Sequence, residues 1–290
     1  MEITDRRARF ADPYEIAVPK DAGFIGEAPF WSSGEVVTWT FRRFDFERDH
    51  AEVRRPMQVI EDGPEGAVLW LSGGTPTTDT RIVGWEDTDP HDVPLRARFG
   101  PSASAPRRVK VAGAWRGLGV LKIVPARVPF SVWVLLKHDR PALGGATNGE
   151  SVRTRRRVEW YVNLEATHRR TESALFTSDH ILDITFPQAG ATASRSARPR
   201  PSEFLHPERA VFKDVDELAA AATYGVWPVA WSDIIRRNGM SVLESLDAFT
   251  WAFDPKWGQV ACELAEISEP DPAERESHRV GSGCYDRDWI

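Results

Sequence analysis

From residue 34 to about 186 the chain is a succession of short apolar, β-branched runs. They read EVVTWTFRRF (35–44), GAVLWLS (66–72), RVKVAG (108–113), GVLKIVPA (119–126), FSVWVLLKH (130–138), RVEWYVNLE (157–165) and DHILDITF (179–186). Turn formers separate them, among them GGTP (73–76), FGPSASAP (99–106) and RPALGGATNGE (140–150). Many short strands at this spacing predict an antiparallel sandwich or barrel, and the lack of βαβ alternation argues against a doubly wound sheet. Beyond residue 186 the period changes. Residues 189–210 are small, polar and net basic, which predicts a long mobile loop. DVDELAAAATYG (214–225) then reads as a helix stopped by Gly225. In 231–253, Ile234, Ile235, Val242, Leu243, Leu246 and Phe249 recur at helical spacing, interrupted by Asn238-Gly239, a pair able to kink a helix.

The fold class this predicts is α+β and mainly β. An antiparallel β-barrel-like domain (34–188) follows an N-terminal extension (1–33). It is succeeded by the basic loop (189–210), a C-terminal helical layer completing the same domain (211–253) and a Pro-, Gly- and acid-rich surface tail (254–290).

Composition narrows the function classes. A net charge of −6 disfavours nucleic acid as the main partner, since phosphate-backbone binders are usually basic. Two cysteines, Cys262 and Cys284, are too few for a disulfide framework or a paired-thiolate zinc site. The N-terminus carries no apolar run of signal-peptide type, and no segment approaches the ~20 apolar residues of a membrane span. The expectation is a soluble, cytoplasmic protein with no membrane partner; its oligomeric state is left open. Twelve tryptophans without a fixed period argue against a repeat architecture and are read first as core packing, second as base-stacking surfaces.

Candidate chemistry begins with TSDHILDITF (177–186), an apolar strand whose Asp179 and Asp183 share one face under two-residue alternation. Asn163 in WYVN and Asp214, Asp216 and Glu217 in FKDVDEL add further oxygen donors. Each has an ordinary alternative: Asn163 ends a strand, Asp179 caps a turn, and Asp214 with Glu217 forms a capping box. Carboxylates plus an amide carbonyl suit a hard cation better than zinc. Residues four apart on a straight strand lie ~13 Å apart at ~3.3 Å per residue, however. Either a bulge or turn brings Asp179 and Asp183 together, or the two serve different ions or roles.

The succession WYVNL (160–164), RRT (169–171), DHILDI (179–184), KDVDEL (213–218) and DPKW (254–257) resembles, in order and rough spacing, the FomD-like nucleotide hydrolase family, itself related to bacterial nucleoside tri- and diphosphatases. LWLSGGTP (69–76) looks like the same family's strand leading into a Gly-Thr-Pro turn. The resemblance is carried by residues 157–257. It implies a barrel whose open end holds Mg²⁺ or Mn²⁺, with Co²⁺ a further candidate, and hydrolysis of a phosphoanhydride bond in a nucleotide or nucleotide conjugate. Matched by motif, the implied metal ligands are Asn163, Asp179, Asp183, Asp214 and Glu217. The small diphosphatases place a third acid where this chain has Ile181, a position the FomD-like branch also leaves apolar.

Around those ligands, Lys213, Arg169 and Arg170 are candidates for phosphate oxygens, with a solvated basic surface as the alternative. Asp216 is a candidate to position or deprotonate water, or to support the ligands. Tyr161 shares the face of Asn163 and either donates to the substrate or packs. His180 alternates away from the acids and is read as structural. RTRRR (153–157) is either an edge-protecting charge run or a guide for anionic substrate. Two rival functions are a single-strand nucleic-acid-binding barrel without catalysis and a catalytically silent nucleotide-binding protein.

Overall fold

The computed structural model describes residues 9–42, 52–89, 91–100, 106–115, 117–138, 156–187, 189 and 199–268. Its strands are β1 (Gly23–Phe24), β2 (Val36–Arg42), β3 (Glu52–Gly63), β4 (Gly66–Ser72), β5 (Pro76–Ile82), β6 (Arg108–Ala114), β7 (Gly119–Pro125), β8 (Phe130–His138), β9 (Arg156–Glu165), β10 (Arg169–Arg170), β11 (Ala174–Thr185) and β12 (Val211–Lys213). Seven of them close a barrel in the order β11-β2-β3-β4-β7-β8-β9 and back to β11. The pairings round the barrel are antiparallel except β2 with β11, which run parallel, so the barrel is mixed. The protein is mainly β with helices α1 (Leu95–Phe99), α2 (Pro201–Leu205), α3 (Val215–Thr223), α4 (Val229–Glu244) and α5 (Lys256–Ser268). Among the described residues no helix is long and apolar enough to cross a membrane.

Alternation along each strand divides the apolar residues between two cores. In β4, Ala67, Leu69 and Leu71 enter the barrel interior, while Val68 and Trp70 join the outer core under the helices. β9 divides the same way: Trp160, Val162 and Leu164 face the helices, which turns Tyr161, Asn163 and Glu165 inward. The interior also buries charge. Lys122, fully buried in the run GVLKIVP, pairs with the buried Glu165, and Ser131 bonds both while accepting the Trp133 indole N–H at 2.8 Å. Of the described tryptophans, seven are buried and the other four half-buried, so packing rather than exposed stacking surface accounts for them.

Two expectations change, and two points left open by the sequence take a definite form. The region 254–290 is not a tail throughout: Trp257, Ala261 and Ala265, spaced by four, form the buried stripe of α5 against β4, β7 and β8, and 269–290 lie outside the described residues. Proline and acid in the last twenty residues masked that stripe. The basic stretch ends in α2, whose Phe204 and Leu205 are buried; residues 190–198 lie outside the described residues. The N-terminal residues from 9 onward pack on the barrel: Phe10 sits 5.6 Å from the Phe130 ring, and the Tyr14 hydroxyl meets Ser178 Oγ at 2.9 Å. Finally, α4 runs continuously through Asn238-Gly239. Asn238 bonds both the N–H and C=O of Ala11, at 3.2 and 2.8 Å, and Gly239 lets Phe212 of β12 approach closely.

The arginines of β10 fasten the N-terminal segment. Arg170 is buried, lies 3.8 Å over the Trp31 ring and pairs with the buried Asp62. Arg169 stacks 4.0 Å from Phe24 and donates to the carbonyls of Ala22 and Gly23 at 2.6 and 3.2 Å. The expectation that Arg169 and Arg170 bind phosphate is therefore corrected. Pairing with β1 turns both guanidinium groups onto residues 22–31. Of the basic run 153–157, Arg156 reaches Cys262 O and Glu266 of α5 and Arg157 pairs with Glu159, while 153–155 lie outside the described residues.

Two outcomes test this packing. A Cβ at Gly239 would stand 2.6 Å from the Phe212 ring and 3.2 Å from Leu164. Gly239→Ala should therefore lower stability by about 1–3 kcal/mol through overpacking, outweighing a helix-propensity gain of at most ~1 kcal/mol; a raised urea midpoint would refute the close approach. Arg170→Met leaves the Asp62 carboxylate buried without its partner and should destabilise by about 3–5 kcal/mol. Lost pyrophosphate binding with an unchanged urea midpoint would restore the phosphate role to Arg170.

Candidate active site

The opposing acids on one strand are brought together by an irregularity. β11 pairs with β9 as Asp179↔Glu165 and Asp183↔Asn163, so four steps along β11 (179 to 183) answer two along β9 (163 to 165). At the bulge Ile181 adopts φ 72°, a left-handed conformation that β-branched residues rarely take, and its N–H donates to Asp179 Oδ1 at 2.7 Å. The two surplus residues shorten the path between Asp179 and Asp183 while both keep the inner face. On the other edge of β11, Asp183 registers with Lys213 of β12. Asp183 thus lies between Asn163 and Lys213.

Asp214 comes next, at φ 61°, in the N-cap position of α3 but with no side-chain capping bond. The capping box that was the ordinary alternative for Asp214 and Glu217 is therefore not formed. Glu217 turns instead to Arg98 of α1, whose Nη1 and Nη2 donate to its two carboxylate oxygens at 2.5 Å each. His91 Nδ1 stands 3.4 Å from Glu217 Oε1, and single ligand atoms of His91, Asp214 and Glu217 lie within 4.8 Å of one another.

The electrostatics follow from this crowding. Burial, reinforced by the charges of Asp179 and Asp214, holds the Asp183 carboxyl well above its ordinary value, against the Tyr161 hydroxyl that donates to Oδ2. Burial and the same carboxylates raise Tyr161. Asp214 is raised by burial and by Glu217. Burial works to raise Glu217 too, yet the hydrogen bond from His91 and the Arg98 guanidinium keep it below the usual range. His91 is raised in return by its bond to Glu217. Among the described residues, Asn163 Oδ1 and Asp183 Oδ1 are buried and accept no hydrogen bond. Unfilled oxygen acceptors beside repelling carboxylates fit a divalent cation, and the donor set is of the hard, oxygen-rich kind that Mg²⁺ or Mn²⁺ takes.

Of the residues singled out in the sequence, Tyr161, Asn163, Asp179, Asp183, Lys213 and Asp214 come together at this end of the barrel, and Glu217 adjoins them beside Asp214. Asp216 is exposed on α3. Arg169 and Arg170 are elsewhere, under the N-terminal segment. His180 is fully buried against Tyr14, its ring 5.4 Å away edge-on, and burial depresses it to about 3. Sequence reasoning missed His91 and Arg98, which lie between β5 and β6, more than a hundred residues before Glu217. It also missed the Lys122–Glu165 pair, although a lone lysine inside an apolar strand was a legible sign of a buried partner.

No protein-family model matches the chain. Two curated proteins do. The cytidylyl-2-hydroxypropylphosphonate hydrolase of Streptomyces fradiae is 26% identical over 205 residues, covering 70% of this chain and 75% of that protein. The protein of the same description from Streptomyces wedmorensis is 26% identical over 229 residues, covering 78% and 87%. Among solved structures, the phosphatase SC4828 with the non-hydrolysable nucleotide GPCP superposes with a TM-score of 0.55 at 26% identity, over 84% of this chain and 92% of its own. FomD with CDP covers 83% of this chain and 95% of its own at 25% identity, with a TM-score of 0.48. Over most of its length the chain is thus similar, at 26% identity, to the two cytidylyl-2-hydroxypropylphosphonate hydrolases, and the motifs from WYVNL to DPKW lie in the same part of the chain.

Proposed function

We propose that this protein is a cytoplasmic, divalent-metal-dependent phosphohydrolase that cleaves a phosphoanhydride bond in a nucleoside di- or triphosphate or a nucleotide-linked conjugate. A nucleoside monophosphate joined to a phosphonate is the first substrate class to test, because the curated relatives are hydrolases of such a conjugate. The observation that carries the reading is the buried, unfilled oxygen of Asp183 beside that of Asn163, within reach of the charges of Asp179 and Asp214.

Asn163, Asp179, Asp183 and Asp214, with Glu217 at the edge, are the residues that would hold Mg²⁺ or Mn²⁺, with Co²⁺ as a third candidate. When bound, the cation supplies charge neutralisation at the phosphate oxygens and lowers the pKa of a water. The Tyr161 hydroxyl fixes the orientation of Asp183 through its hydrogen bond. Lys213, registered beside Asp183, is the cation of the expected set that remains at the site, and it offers a point charge to a phosphate oxygen. Asp216, exposed on the first turn of α3, is placed in this reading to accept the proton of the attacking water.

A panel of nucleotides and nucleotide conjugates assayed with Mg²⁺, Mn²⁺ and Co²⁺ should show turnover only with added metal. Asp183→Asn preserves shape and the Tyr161 contact but removes a charge, and should lower kcat/KM by more than about 100-fold with the urea midpoint retained. Turnover unchanged in that variant, or full turnover in chelator, rejects the assignment.

A further inference from the structure

Residues 9–14 cross the outside of the barrel between α4 and the strand that carries Asp179. We propose that this segment is a strap that selects the register of β11 against β9 at the near end of the bulge, with Tyr14 as a positioning residue for Asp179. Its effect on turnover rests on the hydrolase reading above, whereas its effect on the strand does not.

The bulge makes a choice of register necessary. Between the pairs Asp179↔Glu165 and Asp183↔Asn163, β11 carries two more residues than β9, and a one-residue slip would turn Asp179 from the inner face to the outer. The far end is held by β12, where Lys213 registers with Asp183. At the near end the Ala166 N–H donates to the Ser178 carbonyl at 2.8 Å, and the Thr177 hydroxyl to the Ala166 carbonyl at 2.6 Å. Backbone bonds are the same for every residue, so a slipped ladder could remake them. Only a contact that reads side chains distinguishes one register from the next.

The strap makes that contact. Ser178 and His180 flank Asp179 in sequence and face the opposite, outer side of β11. The Tyr14 hydroxyl meets Ser178 Oγ at 2.9 Å, and its ring stands edge-on over the fully buried His180 at 5.4 Å. Two residues earlier, Asp12 Oδ1 accepts the N–H of Thr167, the neighbour of Ala166, at 2.8 Å. The strap therefore grips both strands just outside the last matched pair before the bulge. After a slip of one residue, Thr177 or Asp179 would take the place of Ser178, and the Tyr14 hydroxyl and ring would meet different side chains.

The other side of the strap is anchored on α4. Asn238 takes both backbone groups of Ala11, at 3.2 and 2.8 Å, and Ser241 Oγ donates to the Arg9 carbonyl at 3.3 Å. The Tyr14 ring lies 4.6 Å from Trp231 of the same helix, and Phe10 packs against Phe130 and Phe249 at 5.6 and 6.0 Å. Asn238 and Gly239 are adjacent. The first holds the strap at the near end of the bulge; the second admits Phe212, the residue before Lys213, at the far end. One turn of α4 thus addresses both ends of the irregular stretch. The bond from the Ile181 N–H to Asp179 Oδ1 lies between those ends and reports whether Asp179 is held.

The test uses the full chain and reads the Ile181 N–H by amide hydrogen exchange in Tyr14→Phe, in Ser178→Ala, in the two combined and in Asn238→Ala. Tyr14→Phe keeps the ring on Trp231 and loses only the hydroxyl, while Asn238→Ala frees the strap from α4 without altering β11. In each variant Ile181 should exchange about 10-fold faster while the amides of β4 keep their rates, and the double variant should gain no more than either single one. On the best substrate of the nucleotide panel above, the same variants should lose about 10-fold in kcat at unchanged KM. Ile181 exchange that stays unchanged in Tyr14→Phe, or that rises equally with the β4 amides, overturns the strap. Additive gains in the double variant overturn the Tyr14–Ser178 contact as its route, and an unchanged kcat where Ile181 exchange has risen overturns the positioning role. An unaltered protein without turnover on the panel rejects the hydrolase reading and leaves Ile181 exchange to decide the strap.

Discussion

Three carboxylates cannot all remain ionised inside a protein without a counter-charge, and the mouth of this barrel is organised around that constraint. Two unit charges ~5 Å apart at an effective dielectric of ~20 repel by roughly 3 kcal/mol. Asp183 feels both Asp179 and Asp214 as well as its own burial. The Tyr161 hydroxyl and the adjacent Lys213 offset part of this, and the remainder either retains a proton on Asp183 or recruits a cation. A lone buried acid would more economically have been an asparagine or a leucine. Retaining the acid and surrounding it with others makes sense if charge neutralisation by an incoming ion is what the cluster does.

The backbone accepts strain to build that cluster. Strand alternation alone leaves Asp179 and Asp183 ~13 Å apart, so two additional residues and a left-handed Ile181 are needed to shorten the path. Asp214 takes the same unusual conformation one residue beyond Lys213. Such residues cost of order 1–3 kcal/mol each and persist only where the surroundings over-determine them. Here they are clamped: β9 and β12 pair with the two edges of β11, and α4 packs Gly239 against Phe212 just before Lys213. The glycine that reads as a helix kink in the sequence is a contact that sets the position of the site.

Much of this is legible in the residues because it is local. Apolar runs and turn formers reveal six of the seven barrel strands, β3 being the exception, and the separation of Asp179 and Asp183 on a straight strand leaves a bulge or turn as one of the alternatives. What escapes is non-local or masked. α5 hides because its stripe of Trp257, Ala261 and Ala265 uses small residues and lies before a proline- and acid-rich end. Arg169 and Arg170 mislead because a motif's order along the chain does not say to which end of the barrel a side chain goes. Three residues beyond β10, β11 begins beside β2, and only the strand's far half reaches the acids. His91 and Arg98 carry no period and no spacing to Glu217; only closure of the barrel brings them there.

The net charge of −6 poses a last question for the proposed function, which asks an acidic protein with an acidic site to admit an anionic nucleotide. The answer lies in how positive groups are distributed. Arg169 and Arg170 are neutralised or stacked at the N-terminal segment, and Lys122 is sealed with Glu165 in the interior, so none of these attracts substrate. Lys213 and His91 stand near α3, while the neighbouring Arg98 is already paired with Glu217 and Arg108 is buried against the Arg98 carbonyl. The described part of the connection between β5 and β6 is anchored by the buried Phe99 and by the bond from Arg108 to the Arg98 carbonyl. In the proposed reading, a cation held by these acids would offset their repulsion of phosphate.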